Sequence, residues 1–123
     1  MRRLNIRTTD FTQILVGDEP GQGGACHKYY IGRSDVTIHD LASAGEFGHI
    51  SFQNSPVKEF GINGCHQEDL LAIVIDRLQS FQTGEYACRE NALALTKIQE
   101  AMHWLNHRTE ERIKRGVEGT NVK

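Results

Sequence analysis

Residues 87–115 read ACRENALALTKIQEAMHWLNHRTEERIKR and contain neither glycine nor proline. At a rise of about 1.5 Å per residue, this stretch predicts a helix roughly 43 Å long. Gly116 follows at once and suits the left-handed position that ends a helix. The apolar residues recur at steps of three and four, which is the spacing of one helical face: Leu95, Ile98, Met102 and Leu105.

The residues before Gly84 predict a second, shorter helix. Glu68 and Asp69 place negative charge in its first turn, as the helix dipole favours. No good N-cap is expected, because Cys65 and His66 stand where Ser, Thr or Asp is preferred. So short a link at Gly84 requires the two helices to pack antiparallel. The apolar face of the shorter helix is wide enough for two neighbours: Leu70, Leu71, Val74, Ile75, Leu78 and Phe81.

The N-terminal half predicts three or four short strands in an antiparallel meander. Residues 34–44 give a weak signal and are expected to form a loop or a short helical turn. Glycines in GDEPGQGG (17–24) could cradle a phosphate, but no Gly-Lys-Ser/Thr follows, so a hairpin loop is favoured and the role of Gly21–Gly24 stays open. The predicted strands lie in residues 4–16 (one or two strands), 26–33, 47–52 and 57–62.

These elements predict an α+β fold, in which a small antiparallel β-sheet precedes a two-helix antiparallel hairpin. Residues 1–123 are expected to form a single domain, with a β-rich half (1–63), a helical hairpin (64–116) and a polar tail (117–123). The longer helix projects past its partner, and a projecting apolar stripe is typical of an oligomer contact. We therefore expect the chain to oligomerise through its helices.

Composition excludes several functional classes. The formal net charge of −2 over 123 residues argues against a globally basic nucleic-acid-binding protein. No apolar run approaches the roughly 18 residues that span a bilayer. The N-terminal MRRLNIRTTD has no apolar segment, so no signal peptide is expected. Three widely spaced cysteines fit reduced thiols better than a disulfide framework.

Few residues carry the pattern of a catalytic or metal site. His103 and His107 have the spacing of a metal pair, but Trp104 stands where a His-Glu-x-x-His motif requires glutamate. Cys88 is more readily interpreted as a small packing residue near a helix start than as a nucleophile. Glu110 and its neighbour Glu111 point to different helical faces. The sequence thus predicts no catalytic residue, no metal ligand and no cofactor.

Two groups of residues could instead bind an anionic aromatic ligand. Phe81 offers a flat ring for stacking a base, and Arg89 and Asn91 begin a helix whose N–H groups favour an anion. Arg108 and Arg112 form a cationic face with Arg115, and each guanidinium can grip a phosphate with two N–H groups. Within one chain the two groups lie roughly 30 Å apart. They share a ligand only if another subunit brings them together, and otherwise form two sites. The alternatives are that Phe81 is a core residue and that the arginines form a solvated face.

Three segments closely resemble the phage Thoeris anti-defence family, which shares a helical hairpin with phage anti-CBASS cyclic-nucleotide sponges. The segments are FQNSPVKEFGING (52–64), LLAIVIDRL (70–78) and FQTGEYACRENALALTKIQEAMHWLNHRTEERIKRGVEGT (81–120). Ser55 stands where the family pattern has glycine.

The resemblance implies a non-enzymatic sponge. Such a protein binds the cyclic ADP-ribose isomer (glyco-cyclic ADP-ribose) made by host TIR proteins, in the cytoplasm of the infected bacterium, and prevents effector activation. The alternative ligands are CBASS cyclic di- and trinucleotides. The family also implies a homo-oligomer, either a dimer or a trimer of dimers, and the charge and hydropathy given above predict no nucleic-acid or membrane partner. Carried over by motif, the residues of the signal pocket are Phe81, Arg89 and Asn91. The resemblance also implies a role for Arg108, Thr109 and Arg112. These three either complete the signal pocket from the facing subunit or line a second site.

Overall fold

The computed structural model describes residues 1–41 and 46–123, which form two compact units, Met1–Cys65 and His66–Lys123. The first unit contains an antiparallel sheet and the second an antiparallel pair of helices. The α+β class expected from the sequence is thereby confirmed. The single-domain organisation and oligomerisation through the helices stay predictions.

The sheet has the strand order β1-β2-β3-β4, and all neighbouring strands are antiparallel. Leu15 lies opposite Tyr30, which lies opposite His49, so these three share one face. Leu15, Val16 and Leu41 are almost completely buried and form the core of this unit. The strands are β1 (Arg2–Arg3), β2 (Thr12–Val16), β3 (Lys28–Arg33) and β4 (Glu46–Ser51).

The glycine-rich segment forms the loop of the β2–β3 hairpin, as predicted. The Asp18 carboxylate accepts hydrogen bonds from the backbone N–H groups of His27 (3.0 Å) and Lys28 (3.1 Å). Gly21 donates its N–H to the carbonyl oxygen of Ala25 at 2.8 Å, which closes the loop from within. After β3 a 3-10 turn at Ile38–Asp40 confirms the helical turn expected there, whereas residues 42–44 of that segment lie outside the described residues.

The strand predicted over residues 57–62 is wrong, because Val57–Phe60 forms a one-turn helix, α1. Pro56 precedes it with φ −61, and its carbonyl oxygen accepts hydrogen bonds from Glu59 (3.1 Å) and Phe60 (2.9 Å). Gly61 ends the turn at φ 74. In a strand, the N–H groups of Glu59 and Phe60 could donate to a neighbouring strand. Here both donate to the carbonyl oxygen of Pro56 instead.

Side-chain amides then hold the segment from Gln53 to Asn63. Gln53 donates through Nε2 to the carbonyl oxygens of Ser55 (3.0 Å) and Gly61 (2.9 Å). Asn63 accepts from the N–H of Asn54 at 2.8 Å and donates back to its carbonyl oxygen at 2.7 Å. These bonds replace the strand pairing that the sequence suggested.

The second unit is a hairpin of α2 (Gln67–Gln82) and α3 (Arg89–Lys114). The apolar stripe predicted on the long helix is half-buried, as is the facing set Leu71, Ile75 and Leu78 on α2. The sequence predicts no good N-cap for α2. In the structure a residue of its first turn caps it, because the Asp69 carboxylate accepts the N–H of His66 at 2.8 Å. The two helices therefore pack through stripes spaced three and four residues apart.

The long helix ends as predicted at Gly116, which has φ 72. Gly116 donates its N–H to the carbonyl oxygen of Ile113 and Val117 donates to that of Arg112, both at 3.0 Å. This pair of bonds is the Schellman motif. It turns the chain back, so that residues 117–123 run beside the end of α3.

Candidate functional site

A shallow cavity lies at the turn of the helical hairpin. Its volume is about 300 Å³, and it is lined by Phe81 at the end of α2, Tyr86 in the linker and Asn91 in the first turn of α3. Phe81 and Asn91 are half-buried, whereas Tyr86 is 70% exposed. Two of the predicted ligand residues, Phe81 and Asn91, are thus brought together here.

The aromatic part of this cavity is extended by Arg77. The guanidinium carbon of Arg77 lies 5.3 Å from the ring centroid of Phe81, within the range of a cation–π contact. The rings of Phe81 and Tyr86 are perpendicular, with centroids 6.3 Å apart. The cavity therefore presents two aromatic rings, and a guanidinium group lies against one of them.

Hydrogen bonds fix the linker that carries Tyr86. The amide of Gln82 donates to the carbonyl oxygen of Cys88 (3.2 Å) and accepts the N–H of Cys88 (3.1 Å). Asn91 donates its N–H to Cys88 Sγ at 3.4 Å and its Nδ2 to the carbonyl oxygen of Tyr86, also at 3.4 Å. Cys88 is therefore the N-cap of α3, which accounts for this thiol through packing and capping. Within the described ranges no residue donates to the Asn91 Oδ1, which leaves that oxygen as an acceptor.

Arg89 supplies positive charge next to the cavity. It is the first residue of α3 and is exposed, and no carboxylate among residues 1–41 and 46–123 forms an ion pair with it. The N–H groups in the first turn of a helix lack intrahelical acceptors and attract anions. An anion beside Phe81 would therefore meet both a guanidinium and a helix N-terminus.

The second predicted group lies elsewhere on α3. Arg108 is 19 positions beyond Arg89, which at the helical rise places the two about 28 Å apart. Arg108 is exposed and Thr109 half-buried. The structure of this unit does not bring Arg108, Thr109 or Arg112 to the hairpin turn, so their roles as ligand residues stay predictions.

Arg112 is occupied by the C-terminal residues. It is only 8% exposed, and its Nε donates to Glu118 Oε2 at 3.1 Å. Its other nitrogens donate to three carbonyl oxygens, those of Val122 (2.6 Å), Val117 (3.0 Å) and Thr120 (3.1 Å). The expectation of a continuous cationic face is therefore wrong, because a polar tail wraps around one of its three arginines.

Another of these arginines also contacts the tail, since Arg115 donates through Nη2 to the carbonyl oxygen of Lys123. Of the predicted cationic face, only Arg108 has no hydrogen bond or ion pair with the part of the chain that the structure describes. Arg108 and Arg115 are both exposed, but only the guanidinium of Arg108 is without a partner within the described residues.

Two residues of the hairpin turn were missed in the sequence. Tyr86 has no periodic signal because it lies in the linker, and its position depends on the turn that Gln82 closes. Arg77 could have been found, because it precedes Phe81 by four residues and therefore lies on the same face of α2.

The paired histidines of α3 belong to an aromatic cluster. The ring centroids of His103 and His107 are 6.4 Å apart, and Trp104 lies within 6 Å of each. Within residues 1–41 and 46–123, no three His, Cys, Asp or Glu side chains are grouped closely enough to hold a metal ion. Nor does any helix in these ranges have the length and apolarity needed to cross a membrane.

Residues 45–110 match the sequence model of the family described as "Acb2/Tad1, hairpin domain". The chain is also 52% identical over 103 residues to Thoeris anti-defense 1 of Bacillus phage SBSphiJ7. The alignment covers 84% of this chain and 66% of that protein, so the chain spans just under two thirds of the relative's length. The family match contains the whole hairpin turn and ends two residues before Arg112.

Proposed function

Because this chain belongs to the Acb2/Tad1 hairpin family, we propose that it is a phage anti-defence protein that counteracts Thoeris immunity. The proposed action is sequestration: the protein binds the cyclic ADP-ribose isomer made by host TIR proteins and withholds it from the effector. The observation that carries this proposal is the cluster at the hairpin turn, where two aromatic rings and the Asn91 amide line a shallow cavity and the Arg77 guanidinium lies against Phe81.

The chemistry of this cluster fits the proposed ligand. An adenine base stacks on the ring of Phe81 or Tyr86, a contact that typically contributes about 1–3 kcal/mol. The pyrophosphate is a dianion suited to the exposed Arg89 and to the N-terminus of α3. Asn91 adds an amide acceptor within the same cavity. Residues near one turn thus offer contacts for the base and for the pyrophosphate of such a ligand.

The proposed mode of action is binding without catalysis. Sequestration requires no bond to be made or broken, and the lining residues Phe81, Tyr86 and Asn91 include no carboxylate, imidazole or thiol. We therefore propose that the protein has no catalytic residue, no metal and no cofactor. The ligand should leave the protein chemically unchanged.

Assembly into a homo-oligomer would supply the rest of the pocket. A cavity of about 300 Å³ is at the lower limit for small-molecule sites, and three residues form only one wall. Nanomolar retention of a signal requires about −12 kcal/mol, which an open surface rarely provides. Exposed apolar side chains on the hairpin support burial against another copy, in a dimer or trimer of dimers: Ile73, Val74, Leu93 and Trp104.

A second candidate ligand class is the CBASS cyclic di- and trinucleotides. The observation that favours it is the exposed Arg108 beside the half-buried Thr109, about 28 Å along α3 from Arg89. Copies of this helix end, brought together in an oligomer, would present several guanidinium groups to a cyclic phosphate backbone. These ligands would occupy a site separate from the hairpin turn.

The proposed place of action is the cytoplasm of the infected bacterium, where the signal is made and sensed. A formal net charge of −2 supports a small-molecule partner over nucleic acid, whose binding is dominated by phosphate contacts. We propose neither a membrane nor a nucleic-acid partner.

The test is a calorimetric titration with glyco-cyclic ADP-ribose, followed by heat denaturation and mass analysis of the recovered ligand. Nanomolar binding with the original mass recovered supports sequestration. A changed mass would show degradation and overturn the binding-only proposal. Absence of binding, together with binding of cyclic trinucleotides, would favour the second ligand class.

A further inference from the structure

A larger cavity lies in the first unit, beneath the loop that connects β1 and β2. Its volume is about 520 Å³, and it is lined by residues from β1, the loop and β2, among them Arg3, Arg7, Thr8, Thr9 and Asp10. This volume lies within the range of small-ligand sites. Neither the fold nor the proposed binding at the hairpin turn requires a cavity here.

The loop that covers this cavity is held at both ends. Leu4 donates its N–H to the carbonyl oxygen of Ile14 at 2.8 Å, which fixes the start of the loop on β2. Ser34 donates its N–H to the carbonyl oxygen of Phe11 (3.0 Å) and its hydroxyl to that of Asp10 (2.7 Å). The cavity therefore has a defined frame, and a ligand would not have to order the whole loop.

The lining has an excess of hydrogen-bond donors. The side chains of Arg3 and Arg7 form no hydrogen bond or ion pair with residues 1–41 or 46–123, and no backbone N–H of residues 5–10 donates a hydrogen bond within these ranges. Thr8 adds a hydroxyl group, whereas the Thr9 hydroxyl is hydrogen-bonded to that of Thr12 at 3.0 Å. Asp10 supplies the single carboxylate in the lining, so two guanidinium groups face one negative charge.

The neighbouring arginine provides a contrast. Arg2 pairs with Val16 and Arg3 with Leu15, and successive strand residues point to opposite faces of a sheet. Arg2 accordingly lines a different cavity, together with the acidic residues Asp18 and Glu19. Arg2 therefore lies beside two carboxylates, whereas the cavity of Arg3 contains one carboxylate and a second arginine.

We infer that the cavity beneath the β1–β2 loop binds a small phosphorylated ligand of nucleotide size. Arg3 and Arg7 grip its phosphate or pyrophosphate group, because a guanidinium can donate two parallel hydrogen bonds to such a group. Thr8 adds a hydroxyl donor, and the exposed side chain of Ile6 in the lining contacts the apolar part of the ligand. This second site lies in the sheet unit and is independent of the one proposed at the hairpin turn.

The experiment is a calorimetric titration of the full-length protein with inorganic pyrophosphate and with ADP. Arg3→Ala and Arg7→Ala are each expected to weaken binding at least about tenfold, which corresponds to roughly 1.4 kcal/mol. Arg2→Ala is the matched control, since it removes the same charge from the same strand, and less than about a twofold change is expected. Asp10→Asn should strengthen binding.

A further variant, Asn91→Ala, separates this inference from the proposed function. Pyrophosphate or ADP binding that survives Asn91→Ala but is lost in Arg3→Ala and Arg7→Ala supports the second site. Binding that is lost only in Asn91→Ala assigns these ligands to the hairpin turn and overturns the inference. Equal losses in Arg2→Ala and Arg3→Ala would indicate a general charge effect and overturn it as well, as would absence of binding.

Discussion

Replacing Arg112 with methionine should release the C-terminal residues from the end of α3. Methionine is also unbranched and of similar length, but it cannot form the four hydrogen bonds that Arg112 donates. These bonds go to Glu118 and to the carbonyl oxygens of Val117, Thr120 and Val122. A hydrogen bond to a charged group contributes about 1.5–3 kcal/mol. The guanidinium is therefore expected to be the main connection between this tail and the helix.

The four contributions are not additive, because the tail acceptors regain water once the tail detaches. Glu118 is already 43% exposed. We therefore expect a loss of about 2–3 kcal/mol in the free energy of unfolding, below the roughly 3–5 kcal/mol typical of breaking a fully buried pair. The assay is urea unfolding, combined with amide hydrogen exchange at Val117 and Thr120.

Arg108→Met is the matched control, since it removes the same group from the exposed side of the same helix. Its expected effect is within about 0.5 kcal/mol. Hydrogen exchange in Arg112→Met should be accelerated more strongly in residues 117–123, where the tail opens locally, than at Leu95, where the acceleration should not exceed the loss of global stability. Equal stability losses in the two variants, or normal protection of the tail in Arg112→Met, would refute the role assigned to Arg112.

Three further predictions concern the first unit. Ser55 has φ 73, so Ser55→Gly should relieve strain and raise the free energy of unfolding by about 0.5–1 kcal/mol; an unchanged urea midpoint would contradict this. A Cβ at Gly64 would lie 2.4 Å from the carbonyl carbon of Phe52, so Gly64→Ala should cost about 1–3 kcal/mol, and wild-type stability in the same assay would disprove the close approach. Desolvation raises the pKa of Asp18, but hydrogen bonds from the His27 and Lys28 N–H groups outweigh it and lower that pKa below its ordinary value. A carboxylate with a lowered folded-state pKa stabilises the protein above about pH 4 and loses this effect as pH falls through the folded pKa; Asp18→Asn should flatten that part of the acid-unfolding profile, and an identical profile would argue against the bonds.

Periodicity made the helices predictable. The apolar residues of α3 recur at the helical spacing, and Gly116 could be identified as the terminator because its left-handed conformation is one that other residues adopt at a cost. The start of α2 was harder, since its cap is the Asp69 carboxylate rather than a side chain at the preceding position. Residue preferences at the N-cap position alone therefore do not indicate this contact.

The strand preference of individual residues led to the wrong secondary structure for residues 57–62. Val57, Phe60 and Ile62 favour a strand, but strand formation depends on a neighbour that supplies hydrogen bonds. Here Pro56 turns the chain and the Gln53 amide accepts the N–H of Asn63 at 3.0 Å. Such side-chain contacts depend on the folded segment and leave no periodic pattern in the sequence.

The candidate site was predictable where its residues lie on helices. Phe81 and Asn91 could be placed by their positions at the ends of α2 and α3, whereas Tyr86 depends on a linker held by Gln82. The sequence predicts Arg112 as a ligand residue on a cationic face, with a solvated face as the alternative, because residues 117–123 appear simply as a polar tail. Three of the groups that accept hydrogen bonds from its guanidinium are backbone carbonyl oxygens. Because every residue has such a carbonyl group, the amino-acid pattern does not indicate which of them will accept.

The most direct test of the central claim is a titration of wild-type protein and Asn91→Ala with glyco-cyclic ADP-ribose, with the oligomeric state of both checked by light scattering. The account predicts nanomolar binding to the wild type and, if one or two hydrogen bonds are lost, an affinity reduced about tenfold to a hundredfold in the variant. Its assembly should be unchanged, because Asn91 contributes only two bonds at 3.4 Å within the turn. Equal affinities in the two proteins would contradict the assignment of the hairpin turn as the binding site.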